Sequence, residues 1–205
     1  MGPERSMVPP VVDLPDSAVL NRGHHRTCFV HPLDPHKCIK VPLPGGTLDQ
    51  SLVEHDYYRH LAKRGVPLGH VAGCHGWVDT SLGRGLVFDR IEYAGGDDPS
   101  SVNLERAIST KLLDEEEIRK GLGDLVTYLR EYRILWSDEN PKNICVMRRP
   151  SLRFVIVDGL GGRTALDFKY RLLKSAPFLA RIYTAGKIAR LMKRVDTLLA
   201  RASAA

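Results

Sequence analysis

The sequence predicts an α+β protein: a small antiparallel sheet carrying one helix, followed by a mainly helical part. Three observations predict it. Short apolar runs occur in pairs about Pro- or Gly-containing turns, on both sides of one helical stretch. From Asp114 onward, apolar residues recur at the three- and four-residue spacing of a helix face. The length of 205 residues, 43% of them hydrophobic and 26% charged, is an ordinary globular composition, enough for one good-sized domain or two small lobes.

The first paired runs are Thr27 to His31 and Lys37 to Val41, joined by the turn Pro32-Leu33-Asp34-Pro35, and they predict a β-hairpin. A Pro/Gly break at residues 42–46 separates them from a helix over residues 47–64, with Leu52, Val53, Tyr57 and Leu61 at helical spacing and Ser51 with Glu54 as a capping box. Two more strands are expected at Trp77 to Asp79 and Leu86 to Ile91, giving the order β-β-α-β-β. A helix capped by Asp114 and Glu117 then carries Ile118, Leu122, Leu125, Val126, Leu129 and Tyr132 on one face. Ile144 to Met147 and Arg153 to Val157 should pair as a hairpin around Arg-Arg-Pro-Ser. Ile188, Leu191, Met192, Val195, Leu198 and Leu199 mark an amphipathic basic helix near the end of the sequence. The expected organisation is a flexible start over residues 1–17, a sheet lobe over 18–98, a second-lobe core over 99–168, and a basic helical tail over 169–205.

The net charge of +6 is unevenly spread. Residues 169–205 hold nine Lys or Arg against one acid, Asp196, a net +8, so the remaining residues are net −2. That argues against a general nucleic-acid-binding surface on the main domain; the basic helix of the tail is expected to pack on the second lobe, with a contact to an acidic partner or an anionic membrane surface as the alternative. No apolar run approaches the ~18 residues of a membrane span. The Pro-rich N-terminus has no apolar signal run, so the expected compartment is the cytoplasm. Cys28, Cys38, Cys74 and Cys145 form no CxxC pair and read as small apolar groups.

Residues 137–159, SDENPKNICVMRRPSLRFVIVDG, carry the chemistry. Phosphoryl transfer requires held phosphates, a metal to offset their charge, and an oriented acceptor. Mg²⁺ takes carboxylate and amide oxygens together with phosphate oxygens and water. Asp138 and Asn143 lie on the loop entering the predicted hairpin, and Asp158 on the loop leaving it. A further carboxylate can accept the proton of an attacking hydroxyl, and a strand lysine fixed by a helix glutamate can hold phosphates. Each residue alone has an ordinary explanation. Lys40 could snorkel at a sheet edge, Glu54 could serve only the Ser51 cap, and Asp138, Asn143 and Asp158-Gly159 are common turn formers. The order of all five, with matching elements between them, is what points to a kinase-like fold that could house this chemistry.

That order resembles the protein kinase signature: Lys40 ending KCIK, Glu54 on the next helix, Asp138 to Asn143 as the catalytic-loop pattern D-x-x-x-x-N, and Asp158 as the metal-binding aspartate after FVIV. RGHHRTCFVHPLDPHKCIKV with EHDYYRHL, continuing through GRGLVFDRI, EYRI and PKNIC, resembles the bacterial YrbL family, a kinase-like group linked to the PhoP regulatory network. This resemblance covers roughly residues 20 to 162. It implies a compact, truncated protein-kinase-like fold with a small antiparallel-sheet N-lobe plus one helix and a mainly helical C-lobe. Taken with the kinase signature, it points to ATP and Mg²⁺ as expected cofactors. Lys40, Gly23 and Arg26 would contact the nucleotide and Glu54 would fix Lys40. Asp138 would serve as base or acceptor-orienting group, and Asn143 and Asp158 as metal ligands. The acceptor, a small molecule or a protein, is not disclosed.

There are departures from the kinase pattern. Only Gly23 remains of a Gly-rich loop, Trp136 stands where the usual histidine would be, D-G-L-G replaces D-F-G, and no A-P-E follows. They raise the alternative of a pseudokinase acting as a regulator or scaffold.

Overall fold

The computed structural model describes residues 11–93, 101–162 and 168–204; the Pro-rich residues 1–10 and the expected lobe boundary at 98 lie outside them. The chain forms two compact units, one of residues 1–48 and 74–89, the other of 49–73 and 90–205.

The first unit is an antiparallel sheet of β1 (Val19–Arg22), β2 (Arg26–His31), β3 (Asp34–Pro42), β4 (Cys74–Thr80) and β5 (Gly83–Asp89), in the order β1-β2-β3-β5-β4. Both predicted pairs are present, and β3 joins them by lying between β2 and β5. Val12, Leu14, Phe29, Ile39, Val41 and Val87 form its apolar core. A side chain at Gly85 would put its Cβ 2.6 Å from Ile39 Cγ2, so a residue without one lets Ile39 seat fully in that core. The start of the chain differs from the expectation of a flexible segment to residue 17. Val12 bridges Thr80, and Val12 and Leu14 are buried, because apolar area removed from water outweighs the cost of ordering these few residues.

The second unit contains α1 (Asp49–Lys63), β6 (Val102–Asn103), α2 (Leu104–Ser109), α3 (Glu115–Glu131), β7 (Ile144–Met147), β8 (Arg153–Ile156), α4 (Phe168–Ser175) and α5 (Pro177–Ala204), with the three short strands ordered β6-β7-β8. The capping box of α3 is present: Asp114 accepts from the Glu117 N–H at 2.8 Å, and Glu117 accepts from the Asp114 N–H. The one expected on α1 is not. That helix starts at Asp49, which places Ser51 inside its first turn and buried, so Glu54 is not the reciprocal partner of an N-cap. Leu52, expected on the buried face of α1, is exposed, while Val53, Tyr57 and Leu61 are buried.

Helix α5 opens with Pro177 in its first turn, where the missing N–H costs nothing, and buries Thr184, Lys187, Ile188, Leu191 and Val195. It packs on α2 and α3. The tail is therefore a packed helix of this unit, and part of its charge is used internally: Lys174 pairs with Asp56, Lys187 and Arg190 with Glu139, and Arg119 of α3 with Asp196. No helix among the described residues is long and apolar enough to cross a membrane.

Candidate functional site

The loop from Leu135 to Asn143 and the loop from Val157 to Gly162 lie side by side in the second unit. The Gly161 N–H donates to the Leu135 carbonyl at 2.9 Å, the Ser137 N–H to the Gly159 carbonyl at 2.8 Å, and the Val157 N–H to the Asn143 carbonyl at 2.9 Å. The Ser137 hydroxyl donates to the same Gly159 carbonyl, and Trp136 forms a bridge with Leu160. This lacing brings three sequence-identified residues together. Asn143 Nδ2 donates to Asp138 Oδ2 at 2.8 Å, and Gly159 packs on Asp138 so closely that a Cβ would lie 2.6 Å from Asp138 Cβ. Gly159 also has φ +84°, so its identity is required twice, by the turn and by the close approach.

The donor set suits a hard divalent cation. The Asn143 amide donates to Asp138 through Nδ2, so its oxygen is not engaged by that bond. Asp158 is set by the Gly159 N–H on Oδ1 at 2.8 Å and by Gln50 Nε2 at 3.4 Å. One carboxylate and one amide oxygen, completed by phosphate oxygens and water, is the kind of site Mg²⁺ uses. Asp138 itself is exposed.

Glu139, next to Asp138, is turned the other way. It is 6% exposed and meets Lys187 Nζ at 2.8 Å and Arg190 at 3.6 Å, while Arg194 reaches its carbonyl at 3.4 Å. Burial pushes the Glu139 carboxyl up, but the hydrogen bond and charge of Lys187 outweigh it, and the net shift is below the usual glutamate value. The Thr184 hydroxyl donates to the Ile134 carbonyl and accepts from the Trp136 N–H. From α1, the Tyr57 hydroxyl accepts from the Leu135 N–H at 2.6 Å, and burial pushes Tyr57 up to about 12. Three elements thus hold the stem of the Asp138 loop. The sequence reading missed Gln50, Glu139, Thr184 and Lys187. A signal was present for two of these: Thr184 and Lys187 fall on the same helical stripe as Ile188, Leu191 and Val195, and a lysine on an apolar stripe needs a buried partner.

In the first unit, Lys40 lies on β3 opposite Cys28 and Leu86, is 8% exposed, and has its ammonium 4.4 Å from the centroid of the Phe88 ring. Gly23 and Arg26 form the β1–β2 turn, where the Gly23 N–H donates to the Arg26 carbonyl at 2.8 Å. The Arg26 side chain is buried, whereas His24 and His25 are exposed. Glu54, on α1 in the second unit, is 2% exposed. Trp136 is fully buried and its indole N–H has no acceptor among the described residues.

The profile of the PhoP regulatory network protein YrbL family matches residues 12–195. The chain belongs to this family. The YrbL protein of Escherichia coli strain K12 is 29% identical over 162 residues, covering 76% of both chains. Among solved structures, Rad53 1–466 in complex with AMP-PNP superposes with a TM-score of 0.54 at 14% identity, over 93% of this chain and 51% of that one. The chain therefore spans about half the length of that protein. The kinase domain of PknI from Mycobacterium tuberculosis, in a double-mutant form, matches at TM-score 0.45 and 14% identity, over 69% of this chain and 56% of that one. The YrbL-family fold is accordingly kinase-like, an antiparallel sheet at the N-terminal side and a helical part at the C-terminal side.

Proposed function

We propose that this YrbL-family chain binds ATP with Mg²⁺ and transfers the γ-phosphoryl group to a hydroxyl acceptor. One observation supports the reading above the others: Asp138, Asn143 and the Asp158–Gly159 turn are packed together by laced loops, with Asp138 exposed and bonded to the Asn143 amide through Nδ2. Asn143 and Asp158 would hold the metal, which offsets the phosphate charge when bound. Asp138 would orient the acceptor hydroxyl and accept its proton. Lys40, Gly23, Arg26 and Glu54 keep the nucleotide-side roles that the kinase resemblance implies for them. That Rad53 was solved with AMP-PNP agrees with a nucleotide as the bound partner.

Calorimetric titration of ATP with and without Mg²⁺ tests the reading. Wild type should bind in a Mg²⁺-dependent manner, and Asp158→Ala should weaken that binding by tenfold or more. No binding by wild type, or equal binding by the variant, would remove its basis. The buried Trp136 in the place of the usual catalytic-loop histidine favours a second reading, a pseudokinase that regulates or scaffolds. Turnover of labelled ATP that is lost in Asp138→Asn, with nucleotide binding retained, separates the two; binding without any transfer selects the second.

A further inference from the structure

We propose that the outer face shared by α4 and the first turns of α5 is a docking surface for an anionic bilayer, an assignment independent of the phosphotransfer reading. Helix α5 has two unlike halves. Its buried stripe runs through Ala180, Thr184, Ile188, Leu191 and Val195. The C-terminal half exposes Lys193, Asp196, Thr197 and Arg201, the polar face that an amphipathic helix turns to water. The N-terminal half exposes Phe178, Leu179 and Ile182 instead. Phe178 and Ile182 lie two residues on either side of the buried Ala180, which puts them on the opposite face of the helix. Helix α4 repeats the pattern, with exposed Phe168 and Leu172 on either side of the buried Tyr170. The two helices pack against each other, and the Lys169 ammonium lies 4.7 Å from the Tyr183 ring centroid, so the outward faces run side by side. An exposed apolar patch with a charged rim marks a contact surface.

The charge at its rim selects the occupant. Arg171 and Arg181 each precede an exposed apolar residue, Leu172 and Ile182, and neither side chain has an ion-pair or hydrogen-bond partner among the described residues. Lys174 and Lys187 are not counted, because Asp56 and Glu139 already match them, and neither is Lys169, whose ammonium rests on Tyr183. From Phe168 to Val195 the chain carries no acid. Apolar side chains bordered by available arginines are the pattern of a helix that lies in a membrane interface: the rings enter the boundary of headgroups and acyl chains, and the guanidinium groups reach the lipid phosphates. A second copy of the chain fits less well, since a two-fold contact through this face would bring its own cations together. An acidic protein also fits less well. Phe168, Phe178 and Ile182 are 77, 67 and 57% exposed, so they stand out from the surface and would need a matched hollow each, whereas acyl chains take any shape.

The test is co-sedimentation of the full chain with vesicles of phosphatidylcholine alone, and of phosphatidylcholine and phosphatidylglycerol in equal parts. Wild type should partition into the anionic vesicles tenfold or more above the neutral ones. Phe178→Ser with Ile182→Ser should lower that partition tenfold or more, and so should Arg171→Gln with Arg181→Gln. The control pair Lys193→Gln with Arg201→Gln removes two cations from the polar half of the same helix and should stay within twofold of wild type. Should the serine variant fail to fold, the arginine and control pairs decide. No partition of wild type into anionic vesicles, an equal loss in the two cation pairs, or an unchanged partition of a folded serine variant would overturn the proposal. A dimer seen by sedimentation velocity without vesicles, and lost in the serine variant, would overturn it in favour of a second copy. Poly-glutamate bound as tightly as the anionic vesicles, with the same dependence on Phe178 and Ile182, would overturn it in favour of an acidic polypeptide.

Discussion

Replacing Lys187 by Met removes one charge from a pair in which both residues are over nine-tenths buried, while keeping most of the stem's volume. Among the described residues Glu139 then keeps one ion-pair partner, Arg190, 3.6 Å away on a side chain that is 63% exposed and screened by solvent. Removing one partner of a buried pair costs about 3–5 kcal/mol, because the other charge is left desolvated. An exposed arginine returns at most about 1 kcal/mol of that. The expected loss is therefore about 3 kcal/mol, or roughly 6–12 °C in melting temperature for a chain of this length. Guanidinium unfolding followed by far-UV circular dichroism and by the fluorescence of the buried Trp136 measures it. The double variant Lys187→Met with Glu139→Gln should recover more than half the loss, since no carboxylate is then stranded. A loss in the single variant below about 1 kcal/mol, or additive losses in the double, would refute the claim that this pair holds the loop.

Two further outcomes follow from the same geometry. Gly159→Ala places a Cβ 2.6 Å from Asp138 Cβ at a φ of +84°, so denaturant unfolding should show a loss of about 2 kcal/mol or more, and a variant as stable as wild type would contradict the packing described. Acid should destabilise the fold through Glu139 and Asp56. Burial pushes the Asp56 carboxyl up, but hydrogen bonds from Lys174 and Tyr170 outweigh it, so both acids lie below their ordinary values of 4.5 and 3.8. Their contribution is complete above those values and lost as pH falls through the lower folded ones; stability should drop between about pH 5 and 3, less steeply in Glu139→Gln.

The strand pairs, α1, α3 and the β7–β8 hairpin were legible because each carries its own period and its own turn chemistry. What escaped was set by tertiary contact. Strands β1 and β6 are too short and polar to announce themselves, and pair only because a neighbour offers its edge. Val12 and Leu14 sit among prolines and read as loop, yet the sheet provides them a core. Ser51 and Glu54 have capping-box spacing, but the helix begins two residues earlier. At the site, Asp138, Asn143 and Asp158 could be singled out only through their order with Lys40 and Glu54, since each alone is a common turn former. Glu139 did not, because an acid next to an acid looks like solvated surface until the lysine it faces, 48 residues later, is in view.

That pairing changes what the basic C-terminal segment is. Were it an appended tail, its cations would point to solvent, and its helix would contact the rest of the unit through apolar residues alone. Instead Thr184 bonds the backbone on both sides of Leu135, Lys187 neutralises Glu139, and Arg194 meets the Glu139 carbonyl, so the helix addresses the Asp138 loop at consecutive points along its length. The family match runs to residue 195 and includes every one of these residues. These supports have their own positions set by a packed core, and Ile188, Leu191 and Val195 supply that core on the same face. The helix is thus part of the apparatus that presents Asp138, and its charge is to be read from the loop side before it is read from the solvent side.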